Sequence, residues 1–106
     1  MTSPQPPGEV TLEVEMSSQE FARVGMGFAY RRVRRVYEHA LPIFVVFDRP
    51  LDRPDKIVVR LFLNDRPTNL AWFFATVDEA RGAMPLGLTT IPRAAQDDAK
   101  IVECWL

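Results

Sequence analysis

The sequence predicts an α+β fold: an antiparallel sheet of about four to six strands with one longer helix and one short helix. Three observations predict it. A stretch of helical periodicity, about residues 18–40, opens behind the capping pattern Ser17-Ser18-Gln19-Glu20. Three short β-branched and aromatic runs follow, forming a central meander over residues 43–75 with Pro- and Asp-rich turns between them. Thr76-Val77-Asp78-Glu79 repeats the capping pattern before a second, shorter helical stretch, about residues 77–84.

Each element has its own signal. Residues 1–8 contain Pro4, Pro6, Pro7 and Gly8 and read as a flexible tail ahead of one compact domain, 9–106. Val10, Leu12 and Val14 alternate with Glu9, Thr11, Glu13 and Glu15, the period of a half-exposed strand. In the long helix, Ala22, Met26, Ala29, Tyr30, Val33, Val36, Tyr37 and Ala40 share one broad face. Gly25 and Gly27 weaken that helix and allow a break between them. Pro42 ends it and pushes Leu41 toward extended geometry.

Ile43 to Phe47 is apolar throughout, as suits a central strand covered on both sides. Pro50 and Pro54 make 48–55 a loop, Ile57 to Leu63 is the second strand, and Asn64 to Pro67 is a turn. Leu70 to Ala75 is the third strand, apolar on both faces. Pro85 ends the short helix, Leu88 to Ile91 is a brief strand, and Ile101 to Leu106 closes the chain as another. Asp-Arg-Pro recurs at 48–50, 52–54 and 65–67, where turn chemistry accounts for it.

Composition narrows function by exclusion. A chain of 106 residues with 47% hydrophobic and 25% charged residues has the make-up of one globular domain. Thirteen basic and 14 acidic residues give net −1, against a protein that grips nucleic acid over its whole surface. One Cys and one His leave no intrachain disulfide and no zinc cage. Ser3 lies in the tail, and Ser17 and Ser18 are explained as helix caps, so no serine triad is in sight. Cys104, between Val102 and Leu106 in an apolar strand, reads as a small hydrophobe, and His39 as a residue that the dipole favours near a helix C-terminus. Asp97-Asp98 lacks the spacing of a calcium loop, and Gly25-Met26-Gly27 lacks that of a phosphate loop. No catalytic, cofactor-binding or metal-binding residues are assigned; with Arg93, Asp97 and Asp98 could carry acid–base work only if a deep pocket joined them. The N-terminus has neither the basic nor the apolar region of a signal peptide, and no apolar run is long enough to span a membrane. The expectation is a cytoplasmic protein.

Two stretches stand out as contact surfaces. Arg31, Arg32, Arg34 and Arg35 span an arc of about 160° on a helix, with Phe21, Val24 and Phe28 on the same side as Arg31, Arg32 and Arg35. Arg mixed with aromatic residues is the composition of a docking surface, here for an acidic protein partner. A solvated helix face and a phosphate-binding face are the alternatives. The other stretch is Trp72-Phe73-Phe74: both faces of this strand need a cover, from the chain itself or from a second copy in a homodimer.

The sequence therefore points to a small non-catalytic protein-binding module, a regulator or inhibitor, a class that includes those carried by phage or mobile elements. Phe21, Phe28, Arg31, Arg32, Arg34 and Arg35 are its expected anchors. The alternative is a nucleic-acid-binding module using the Arg31–Arg35 face.

Overall fold

The computed structural model describes residues 19–94 and 98–106. The expected tail at 1–8, the strand at 9–16, Ser17, Ser18 and Asp97 lie outside them. The described chain is α+β: helix α1 (Gln19–Val36), strands β1 (Pro42–Asp48), β2 (Ile57–Leu63) and β3 (Arg66–Phe74), helix α2 (Val77–Ala83), then β4 (Thr90–Pro92) and β5 (Ile101–Trp105). The five strands form one antiparallel sheet in the order β3-β2-β1-β5-β4. The apolar run 43–47 thus lies in the middle strand, where both of its edges are paired.

α1 runs unbroken through Gly25 and Gly27. Gly27 is buried, and a Cβ there would stand 3.3 Å from Arg31 Nη1, so the folded-back guanidinium roofs the glycine. The helix ends at Val36, four residues before the expected limit. Tyr37 N still donates to Val33 O (2.8 Å), but Ala40 N donates to Tyr37 O (2.9 Å), a tighter turn that delivers the chain to Pro42. Val36, assigned to the buried face by periodicity, is 42% exposed because the helix is ending there.

The turn after β2 is shorter than the sequence suggests. Leu63 pairs with Arg66, leaving Asn64 and Asp65 as the two loop residues. Asn64 takes φ 57°, a conformation asparagine tolerates better than most residues. Its N–H donates to Leu41 O (2.8 Å) and its Oδ1 accepts from Leu41 N (2.9 Å), tying the hairpin to the entrance of β1. Pro67 is therefore a strand residue, tolerated because β3 lies at the edge of the sheet among the described strands. The ladder shifts register between Arg60 and Phe62, and there Thr68 Oγ1 donates to Leu61 O and accepts from Leu70 N.

α2 opens with the expected Thr76 cap, whose Oγ1 accepts from Glu79 N (3.2 Å), but the returning bond departs from a capping box: Glu79 Oε2 accepts from Ala75 N (3.2 Å), one residue before the cap. Its far end is held by α1. Gln19 Nε2 donates to Glu79 O (3.0 Å) and Arg23 Nη2 to Gly82 O (2.8 Å), the latter a carbonyl that the helix C-terminus leaves open. A Cβ at Gly82 would come within 2.7 Å of Gln19 Nε2, so a larger residue there would displace the Gln19 side chain.

Both helices pack on one face of the sheet. Ala22, Met26 and Val33 of α1 and Ala80 and Ala83 of α2 meet Phe44, Val46, Val59, Leu61, Trp72 and Phe74. Tyr30 stacks on Phe44 at 6.1 Å and Phe44 meets Trp72 edge-on at 6.0 Å. A smaller cluster, Val58, Ala71 and Phe73 with Phe47 against it, occupies the opposite face.

Candidate interaction surface

On a helix of about 100° per residue, Ala22, Met26, Ala29, Tyr30 and Val33 fall on one side of α1, against the core. Phe21, Val24, Phe28, Arg31, Arg32 and Arg35 fall on the other, within an arc of about 100°. An ordinary surface helix is polar there. On α1, Phe21 is 72%, Val24 64% and Phe28 61% exposed. The side of the helix turned from the core is apolar in its first half and cationic in its second.

The arginines do not act as one set. Arg31, Arg32 and Arg35 are exposed on the outward face. Arg34 turns to the flank, where Nη1 donates to Tyr30 Oη (3.3 Å) and the guanidinium lies 5.6 Å from the Tyr30 ring. Arg34 also borders a shallow hollow of about 460 Å³ with Glu38, His39 and Leu41 at the end of α1. His39 is almost fully exposed beside Glu38 (3.7 Å), and Arg34 and Glu38 give the hollow charges of both signs.

The expected oligomer contact at Trp72, Phe73 and Phe74 needs correcting. All three are buried in the chain itself, at 2%, 4% and 5% exposure. The two helices cover Trp72 and Phe74. Phe73, on the opposite face, is capped by the guanidinium of Arg53, 4.2 Å above its ring, from the loop between β1 and β2. The cover comes from a loop whose prolines mark a turn but do not reveal where its arginine packs.

One polar cluster was not visible in the sequence. Glu103 of β5 has a side chain only 7% exposed. Arg81 of α2 grips it through Nη2–Oε1 (2.8 Å) and Nε–Oε2 (3.1 Å), and Trp105 Nε1 donates to Oε2 (2.8 Å). The bond from Arg81 holds the Glu103 carboxyl below its ordinary pKa against the opposing effect of burial, with the Trp105 indole assisting. The same bond raises the pKa of Arg81, whose guanidinium also lies 3.6 Å from Asp78. Residues 22 positions apart gave no spacing signal; the clue was a lone carboxylate in an apolar strand. With both Glu103 oxygens paired, the cluster ties α2 to the sheet.

Cys104 is half-buried beside Val45 in β5. Among the described residues, no three His, Cys, Asp or Glu side chains gather as a metal site would require. No described helix is long and apolar enough to cross a membrane. Comparison with protein-family models, curated proteins and solved structures returns no match.

Proposed function

We propose that this chain is a protein-binding module, a regulator or inhibitor without chemistry of its own, that docks through the outward face of α1. The observation that carries this reading is the exposure of Phe21, Val24 and Phe28 in line with Arg31 and Arg35. Large apolar side chains turned to water gain free energy when a partner covers them, about 25 cal/mol per Å². Arginine beside them supplies directional contacts and is enriched at interface anchors.

A photo-crosslinking residue in place of Phe28, introduced in the native cell, tests the reading. The expected result is a protein adduct that disappears when Arg31 and Arg35 are changed to Glu and persists after nuclease treatment. An equal adduct yield with and without the charge reversal removes the α1 face from the interaction. The nucleic-acid reading rests on the same exposed Arg31, Arg32 and Arg35, and it predicts RNA or DNA retention that falls steeply with salt.

A further inference from the structure

The outward face of α1 carries more information than exposure alone. Phe21, Val24, Phe28, Arg31 and Arg35 follow alternating steps of three and four residues, the spacing of a coiled-coil seam. Arg32 and Arg34 flank the cationic half of that seam. A second copy lying parallel would place these arginines against their own equivalents, which like-charge repulsion opposes. A partner helix must instead offer apolar seam residues to Phe21, Val24 and Phe28, and carboxylates to Arg31, Arg32 and Arg35. Carboxylates are most favourable in the first turns of a helix, where they meet the positive end of the macrodipole. An acidic N-terminal half reaches the arginines, at the C-terminal end of α1, only when the two helices run antiparallel.

We propose that the partner of α1 is an amphipathic helix docked antiparallel on its outward face, acidic in the N-terminal half and apolar in the C-terminal half. This rests on the protein-binding reading above and adds the chemistry and direction of the partner.

The probe is a fluorescein-labelled helical peptide of about three heptads, with Glu in the N-terminal half of its seam and Leu in the C-terminal half. A second peptide has the two halves exchanged, and a third keeps every Glu but replaces Leu by Ser. Each is titrated with the whole chain by fluorescence anisotropy. The first peptide is expected to bind at least about tenfold more tightly than the other two, with affinity falling as salt rises. Phe28→Ser is expected to weaken it by a similar factor. Arg31→Glu with Arg35→Glu should abolish it and create affinity for a peptide with Lys in place of Glu, which also shows that the variant is folded. Equal binding of the exchanged peptide overturns the proposal, as does equal binding of the Ser peptide, the behaviour of a general polyanion site. Absence of binding by all three overturns it too, as does a dimer in light scattering that Phe28→Ser dissolves. If the peptides fail while Phe28 still crosslinks to a protein, only the partner's chemistry and direction fall.

Discussion

Arg81 and Glu103 join α2 to β5 through a forked contact, Nη2–Oε1 at 2.8 Å with Nε shared between Oε2 at 3.1 Å and Oε1 at 3.3 Å, the carboxylate buried and the guanidinium half in water. Burying a carboxylate is unfavourable unless its oxygens are paired, and here Arg81 and Trp105 pair both. The folded pKa of Glu103 lies below its unfolded value. Its contribution to stability is therefore complete above the unfolded pKa, about 4.3, and is lost as pH falls through the lower folded value. Glu103→Gln keeps one acceptor oxygen but removes the charge, and is expected to cost about 1–2 kcal/mol at pH 7. Urea unfolding of both proteins from pH 7 to pH 3 should show the gap closing on the acidic side. A gap independent of pH would mean that the pair contributes by shape alone.

The cap of α2 gives a second test. Thr76 accepts from Glu79 N and Glu79 answers with a bond from Ala75 N, so two backbone donors at the helix start depend on two side chains. Thr76→Ala is expected to lower stability by about 1 kcal/mol, and Thr76→Ser to retain most of it. Because α2 is only seven residues long, the loss should also appear as faster amide exchange within it. Equal melting temperatures for Thr76→Ala and the parent chain would show that packing of Ala80 and Ala83 holds the helix without its cap.

Helix caps are local, which is why Thr76 with Glu79 was legible in the sequence. The same holds for the meander of β1, β2 and β3, whose apolar runs and turn residues are close neighbours along the chain. The outward set Phe21, Val24 and Phe28 was also legible, because periodicity alone separates it from Ala22, Met26 and Val33. Arg34 stands at the end of the arginine arc, and its i,i+4 neighbour Tyr30 draws its guanidinium to the flank of the helix. The cover of Phe73 was not legible. An alternating strand says that both faces are apolar, but not that the cover is an arginine 20 residues earlier in a proline-rich loop. Placing β5 beside β1 rather than at the sheet edge needed the long-range pairing of Val45 with Cys104, for which no sequence pattern exists.

Asn64 combines a backbone and a side-chain requirement that substitutions can separate. Its φ of 57° suits Gly and Asn, whereas its Oδ1 serves Leu41 N. Asn64→Gly keeps the turn and loses the side-chain bond. Asn64→Val loses the bond and strains the turn, because a β-branched residue fits poorly at positive φ. The expected order of stability is Asn above Gly above Val, with Val lower than Asn by about 2–3 kcal/mol. Thermal melts of the three proteins check it, and Val at or above Gly would show that the hairpin tip relaxes to another turn.

Met26 and Phe28 are two residues apart on α1, yet their environments are opposite: Met26 is fully buried and Phe28 is 61% exposed. If the outward face is an interaction surface, its apolar residues contribute little to folding the isolated chain. Phe28→Ser is then expected to change stability by no more than about 0.5 kcal/mol, as for most surface positions. Met26→Ala should cost about 2–5 kcal/mol, because it opens a cavity among Phe44, Trp72 and their neighbours. Denaturant unfolding of the two variants decides the matter. A loss for Phe28→Ser comparable with that for Met26→Ala would show that Phe28 is covered within the chain in solution, and the α1 face could not then serve as a docking site for another protein.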